Sequence, residues 1–256
     1  MRFLAALQFL TIIPLPFRRE TSPEDVGRST AFFPLVGLLI GLVLAGLNWL
    51  FGLFLPAQIT NGLLIVALAV VTGALHLDGF ADTCDGLAGH KTVEERWRVM
   101  HDSRAGAFGI VGVFLLLLVK YVSLGSVPES LLPATLVLVP VLSRWAMVYA
   151  VFAHPYAREE GLGKVFKQGT GWPEFATATA ITLAAAICLA WLAGMSYFYL
   201  AGPAIMLGVW IVVALMAACL KRRFSGLTGD TYGAVNEVAE VGVLILVSLM
   251  AYNNWL

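Results

Sequence analysis

A succession of apolar runs limits what this chain can fold into. Several of the runs reach the roughly 18–20 residues that a helix needs to cross a bilayer. The sequence is 59% hydrophobic and only 12% charged, whereas soluble domains carry about 25% charged residues. We therefore predict an all-α fold, a polytopic membrane helix bundle that forms a single integral membrane domain over residues 1–256.

The apolar runs predict about seven transmembrane helices. These predicted spans are 31–55, 60–77, 105–127, 131–153, 175–194, 197–219 and 235–252. The first thirteen residues form a short apolar run, and Pro14, Pro16 and the pair Arg18 and Arg19 follow it. We interpret this start as a short interfacial or re-entrant segment rather than a cleaved signal peptide, because no small-x-small cleavage site follows.

The loop charges predict the orientation of the bundle. Fourteen of the sixteen basic residues fall in the N-terminal segment and in the loops 78–104, 154–174 and 220–234. Because basic loops stay on the cytoplasmic side, we predict a cytoplasmic N-terminus and an outward C-terminus. The two remaining bases, Lys120 and Arg144, lie within predicted spans and therefore need anionic partners.

Other classes of function receive no support. The formal net charge is zero, so no basic field predicts a nucleic-acid partner. The three cysteines are far apart in the sequence and form no CxxC pair. Neither a disulfide framework nor a zinc site is therefore expected.

Three aspartates follow the second apolar run. Asp78, Asp82 and Asp85 are spaced i, i+4 and i+7, which places them on one face of a helix. Carboxylate oxygens are ligands of hard divalent cations, so this face predicts a metal site. Asp78 and Asp85 would lie about 10 Å apart along the helix, so Asp82 would bridge two ions or a second helix would complete the shell. The alternative is a solvated helix end whose acids oppose the helix dipole.

A second acidic segment begins the last apolar run. Asp230, Glu237 and Glu240 share a face if this segment is helical. Glu237 and Glu240 lie inside the predicted span, where ionisable groups are costly and usually functional. A metal shell shared with the aspartates is one interpretation. The alternative is an acidic pair that either snorkels to the membrane interface or pairs with Arg144 or Lys120.

Two further motifs could contact phosphate. Asp102, Ser103 and Arg104 precede the third span, where a helix N-terminus and an arginine can receive an anion, although Asp102 or Ser103 could simply cap the helix. Arg144 is buried by the predicted spans, and either a protein carboxylate or a substrate phosphate could pair with it. The loop 154–164 has glycines and two bases but lacks P-loop spacing. It could be a lid or a nucleotide contact, or an ordinary basic loop.

The motifs HLDGFADTCDGL, MHDSRAGAFG, SRW and GLTGDTYGAVNEVAE occur in this order along the chain. Together they resemble the cobalamin synthase family, also called adenosylcobinamide-GDP ribazoletransferase, over nearly the whole length. Cys84 stands where that family usually has a small residue such as alanine, and His101 where lysine is common. Neither departure replaces an acidic residue.

The resemblance implies a magnesium-dependent transferase. Such an enzyme transfers the adenosylcobinamide-phosphate group from adenosylcobinamide-GDP to α-ribazole or its 5′-phosphate. The products are GMP and adenosylcobalamin or its 5′-phosphate. We expect Asp78, Asp82 and Asp85 to bind Mg²⁺, with Glu237 and Glu240 completing the shell or acting as general base. On this hypothesis Asp82, Glu237 and Glu240 are catalytic, and the substrate-binding residues are Asp102, Ser103, Arg104, Arg144 and Asp230.

The expected surroundings follow from these inferences. We expect a multi-pass protein of the bacterial cytoplasmic (inner) membrane whose active site faces the cytoplasm. A homo-oligomer or a corrinoid-assembly complex is an open option for its protein partners. Two other classes remain at this point: a membrane transporter of a cation or corrinoid, and a structural anchor for corrinoid-assembly enzymes.

Overall fold

The computed structural model describes residues 1–14, 22–89, 92–102, 104–195 and 197–255, apart from the side chain of Phe198. Within these ranges the chain folds into twelve α-helices, a 3₁₀ turn (Ser29–Phe32) and one isolated β-bridge. The helices are α1 (Arg2–Leu10), α2 (Pro23–Arg28), α3 (Phe33–Gly52), α4 (Ala57–Val71), α5 (Leu75–Leu87), α6 (Val93–Met100), α7 (Ala107–Gly125), α8 (Leu132–Ala153), α9 (Leu162–Gly169), α10 (Trp172–Leu192), α11 (Phe198–Phe224) and α12 (Gly229–Tyr252).

The predicted polytopic all-α bundle is confirmed. Among the described residues, six helical segments are long and apolar enough to cross a membrane, or seven if the bent pair α4 and α5 counts as one. Five of the spans are α7, α8, α10, α11 and α12, and a sixth runs from Pro23 through α3. The short α1 covers only about 14 Å at 1.5 Å per residue, too little to span a bilayer.

The second predicted span, 60–77, differs from the structure. Helix α4 ends at Val71, and α5 then leaves at an angle of 89°. The turn between them carries Gly73 and Ala74 at φ values of 61° and 56°, a left-handed conformation that interrupts a right-handed helix. The N-terminal segment covers this break, because the Ile12 backbone N–H donates to the Val71 carbonyl at 2.9 Å. The aspartates therefore lie on a separate helix instead of at the end of a straight span.

Helix α8 forms the centre of the bundle. Nearly all its side chains from Thr135 to Val151 are buried, and it packs against α3, α10, α11 and α12. By contrast, α7 exposes a row of large apolar side chains, including Phe108, Phe114 and Val122. An exposed apolar face of this kind suits contact with lipid.

Small residues permit the tightest helix contact. A Cβ on Gly41 of α3 would lie 2.5 Å from Cα of Val137 in α8, and a Cβ on Gly37 would meet the Pro140 carbonyl. Helices in lipid associate largely through such close backbone approaches, because lipid tails are as apolar as the side chains. The α3–α8 contact thus depends on residues without a side chain.

Candidate active site

A cavity of about 920 Å³ opens at one end of the bundle. Its walls come from α1 and α9, from the first turns of α3, α5 and α12, from the C-terminal half of α6, from the last turns of α8, and from the connection between α8 and α9. These are the helix ends that adjoin the basic loops of the sequence. The volume matches that of a pocket for one small-molecule ligand, roughly 300–1,000 Å³.

Carboxylates form the acidic side of this cavity. Asp78 from α5 and Asp230 from α12 both line it, and Asp82 follows Asp78 by one turn and is half-buried. The Asp82 carboxylate lies close enough to Asp230, Asp78 and Asp85 for their charges to act on it, and Asp230 has the largest effect of the three. Like charges gathered in this way favour binding of a cation.

Two glycines bring α5 and α12 together at the acidic side. A Cβ on Gly79 would lie 2.7 Å from the carbonyl oxygen of Asp230, and one on Gly233 would lie 3.1 Å from that of His76. The buried residues of α5 are His76, Gly79, Thr83, Asp85 and Gly86. Asp78 and Asp82 lie on the more exposed side of this helix, whereas Asp85 is buried.

The connection between α8 and α9 contributes a positive group. The Arg158 Nη2 donates to Asp230 Oδ2 at 2.9 Å, and Arg158 lines the cavity. A parallel β-bridge holds this segment, since Leu227 N–H donates to the Pro155 carbonyl at 2.9 Å and Ala157 N–H to the Leu227 carbonyl at 2.8 Å. From the sequence, this loop is interpreted as a lid, a nucleotide contact or an ordinary basic loop, and its contact with Asp230 is not predicted.

Asp85 has a different environment from the other two aspartates of α5. It is 7% exposed, and its carboxylate accepts hydrogen bonds from the backbone N–H groups of Gly106 and Gly109, each at 2.9 Å. These donors are at the N-terminus of α7, where free N–H groups attract an anion. Asp85 therefore docks α7 onto α5, a role that the spacing of the three aspartates did not reveal.

Asp102 and Arg104 pair with each other at the surface. Arg104 Nη2 donates to Asp102 Oδ2 at 2.8 Å, and its Nε donates to Oδ1 at 3.0 Å. These hydrogen bonds lower the pKa of Asp102 to about 2. Neither residue is among those that line the described cavity, and Ser103 lies outside the described residues.

Glu237 and Glu240 belong to a buried ion cluster. Lys120 Nζ of α7 contacts Glu237 Oε2 at 2.7 Å and Glu240 Oε2 at 2.6 Å. Arg144 Nη1 of α8 contacts Glu240 Oε1 at 2.5 Å, and Asn236 Nδ2 donates to the same oxygen at 3.0 Å. Two cations and two anions give a cluster of zero formal charge, an arrangement that lowers the cost of burying each group.

The cluster bears on three residues of the predicted site. The structure brings Glu237 and Glu240 to Lys120 and Arg144 rather than into a common shell with Asp78 and Asp82. Arg144 is 0% exposed, so its partner is a protein carboxylate. The geometry thus agrees with the ion-pair alternative, because Lys120 of α7 and Arg144 of α8 contact the glutamates of α12. The catalytic and metal-binding roles of the two glutamates stay predictions.

The donor set suits Mg²⁺ in a particular way. Among the described residues, no three His, Cys, Asp or Glu side chains converge as a preformed metal site. Mg²⁺ is usually bound through one or two carboxylates plus waters and substrate phosphates, without an all-protein cage. The carboxylates of Asp78 and Asp230, which both line the cavity, fit that pattern.

Comparisons with known proteins agree with the sequence motifs. A family model described as cobalamin-5-phosphate synthase matches residues 2–248. The chain belongs to the cobalamin-5-phosphate synthase family. Membership in this family makes it a transferase of cobalamin synthesis, as the resemblance implied, and sets aside the transporter and anchor alternatives as its main activity.

Curated relatives of the cobalamin-5-phosphate synthase family match over nearly the full chain. A protein of Geotalea daltonii is 42% identical, with 97% of this chain and 96% of the relative covered. A Roseiflexus protein is 38% identical, with 96% and 88% covered. One from Syntrophobacter fumaroxidans is 40% identical, with 97% and 98% covered. Each relative is named adenosylcobinamide-GDP ribazoletransferase. No solved structure matches the chain.

Proposed function

We propose that this chain transfers the adenosylcobinamide-phosphate group from adenosylcobinamide-GDP to α-ribazole or α-ribazole 5′-phosphate, releasing GMP. The observation that carries the proposal is the joint occurrence of the family match over residues 2–248 and a cavity whose walls include Asp78, Asp230 and Arg158. An acidic wall beside a guanidinium suits a metal-assisted exchange at phosphorus.

The reaction requires one bond to form and one to break at a single phosphorus atom. A ribose hydroxyl oxygen of the acceptor attacks the phosphorus attached to the cobinamide side of the diphosphate. The bond from this phosphorus to the oxygen of GMP breaks, and GMP leaves with the bonding electron pair. The hydroxyl proton passes to a carboxylate, for which we propose Asp82 because it is half-buried beside the acidic wall of the cavity.

We propose that Asp78 and Asp230 hold Mg²⁺ together with substrate phosphate oxygens. When bound, Mg²⁺ would neutralise charge on the diphosphate and on departing GMP. The protein residues contribute position: α5 and α12 bring the carboxylates together through the close contact at Gly79. Asp85 holds the start of α7 against the same helix.

The active site faces the cytoplasm of a bacterial cell in this proposal. The cavity is formed at the helix ends that join the basic loops, and positively charged loops remain inside. Both substrates would then arrive from the cytoplasm without crossing the bilayer.

The test compares Asp82→Asn with the matched control Glu94→Gln, an exposed acid on α6. The purified proteins, in detergent, receive adenosylcobinamide-GDP, α-ribazole and a Mg²⁺ titration, and GMP release is measured. We expect wild-type and Glu94→Gln to release GMP, and Asp82→Asn to be slower by about 100-fold or more because the proton acceptor is lost. A wild-type protein that releases no GMP with Mg²⁺ contradicts the proposed reaction. An Asp82→Asn rate equal to the control contradicts the role of Asp82 alone.

A further inference from the structure

Arg158 is the residue to which we assign, as our own proposal, direct binding of a substrate phosphate group in the cavity. This inference rests on the proposed function, because it takes the cavity to be the place where diphosphate and acceptor meet. The sequence motifs instead favoured Arg104 and Arg144 for this contact.

The charge of the cavity favours Arg158. It is the only lysine or arginine among the described residues that line the cavity, and it stands beside Asp230 and the adjacent Glu159. A phosphate entering an otherwise acidic wall needs a positive group within reach. Neither Arg104 nor Arg144 is part of this lining, since Arg104 pairs with Asp102 at the surface and Arg144 with the buried Glu240.

The Arg158 guanidinium has a donor that no protein acceptor uses. Asp230 accepts from Nη2 at 2.9 Å, while the Nε atom is buried and has no hydrogen-bond partner. Buried donors of this kind are normally satisfied. A guanidinium offers five donors in a planar fork that matches phosphate oxygens, so one side can hold Asp230 while other donors bind the ligand.

The backbone around Arg158 is built to hold it in place. Its neighbour Ala157 donates to the Leu227 carbonyl in the β-bridge. Gly226 approaches this segment so closely that a Cβ would lie 3.0 Å from Cα of Ala157, and its φ of 144° also favours glycine. Asp230 follows the bridge residue Leu227 by only three positions in the sequence. The backbone beside Arg158 is held by the β-bridge, and its guanidinium is held by Asp230. A residue that binds a ligand benefits from being fixed in this way.

The phosphate could come from two sources with the same chemistry. One is the diphosphate of the donor, and the other is the 5′-phosphate of α-ribazole 5′-phosphate. α-Ribazole itself has no phosphate, so using each acceptor in turn separates the sources.

The experiment measures kcat and KM for donor and acceptor with Arg158→Ala, Arg158→Lys and the exposed control Arg222→Ala. For the substrate whose phosphate Arg158 binds, we expect Arg158→Ala to raise KM or to lower kcat/KM at least tenfold. A tenfold change corresponds to about 1.4 kcal/mol. Arg158→Lys should recover only part of this loss, because lysine keeps the charge and loses the fork. Arg222→Ala should match wild-type.

Each outcome has a defined meaning. A loss in donor kcat/KM with α-ribazole as acceptor supports contact with the donor diphosphate. A loss confined to α-ribazole 5′-phosphate supports contact with the acceptor phosphate. Equal constants for Arg158→Ala and Arg222→Ala with both acceptors overturn the assignment, provided that the wild-type turns over. If the wild-type itself is inactive, the proposed function fails instead. Should Arg158→Ala be unstable in thermal unfolding, Arg158→Lys alone decides: its full activity would overturn the assignment.

Discussion

Asp82 and Glu237 are both carboxylates, yet their charged surroundings differ in sign. The charges that act on Asp82 come mainly from Asp230, Asp78 and Asp85, whereas Glu237 contacts the ammonium group of Lys120 at 2.7 Å. An acid among other acids gains from binding a cation, and an acid already paired with a lysine gains little. The charge of the neighbouring groups thus distinguishes Asp82, the proposed catalytic carboxylate, from Glu237, which is paired within the protein.

Removing one member of the buried cluster should destabilise the bundle. Glu237→Gln leaves Lys120 and Arg144 with Glu240 as their only anion in the cluster, and breaking a buried pair costs about 3–5 kcal/mol. Thermal or chemical unfolding in detergent should show this loss against the exposed control Glu129→Gln.

A second variant separates charge from side-chain packing. Lys120→Met combined with Glu237→Gln removes one charge of each sign, so the cluster stays neutral, and we expect it to be more stable than Glu237→Gln alone. If Glu237→Gln unfolds like the control but its GMP release no longer increases with Mg²⁺, the ion-pair interpretation is contradicted. The metal-binding role of Glu237 would then be supported.

The residue types of the site were readable from the sequence, but their partners were not. The i, i+4, i+7 spacing correctly predicted a shared helix face for Asp78, Asp82 and Asp85. It could not show that Asp85 caps α7. Arg158 gave only a weak signal, a base in a glycine-containing loop, because its partner Asp230 lies 72 residues away in the sequence.

The helices pack according to where side chains are missing. Gly41 and Gly46 lie on the same helix, α3, but a Cβ on Gly41 would meet α8 at 2.5 Å, whereas nothing lies within 4 Å of one on Gly46. We expect Gly41→Ala to destabilise the protein by about 1–3 kcal/mol through overpacking. Gly46→Ala should be neutral or slightly stabilising, because alanine favours helix over glycine.

The measurement is the unfolding midpoint of both variants in the same detergent. Equal midpoints would show that α3 moves away from α8 without loss and would contradict the tight contact. Helical length alone predicted that α3 and α8 exist. The sequence patterns did not predict that α3 and α8 pack against each other, because the two helices are far apart along the chain.

The break between α4 and α5 shows the same limit from another side. Apolar character continues through Thr72–Leu77, so hydropathy extended the span to residue 77. The left-handed turn at Gly73 and Ala74 is held in part by Ile12, a contact made by a segment about sixty residues earlier. A local pattern predicts a helix well, but it does not detect a distant chain segment that ends one.

The whole molecule should place its two termini on opposite sides of the membrane. Starting from a variant without Cys84, Cys188 and Cys219, a cysteine is placed at Glu24, in the exposed first turn of the Pro23–Gly52 segment, or at Asn253, after the last span. A membrane-impermeant thiol reagent added to the outside of intact cells should label Asn253→Cys and leave Glu24→Cys unlabelled. Labelling of both from the same side would imply an even number of crossings and would contradict the predicted topology.

The short α4 has a consequence for the bilayer itself. Its fifteen residues cover about 22 Å at 1.5 Å per residue, while the hydrocarbon layer is about 30 Å thick. This hydrophobic mismatch is relieved when lipids beside α4 thin or when flanking polar groups draw water inward. We therefore expect the headgroup level to lie closer to the end of α4, where α5 turns away with its aspartates. On the proposed function, we expect this thinning to let a water-soluble nucleotide reach the cavity beside α5 without an aqueous channel through the bundle.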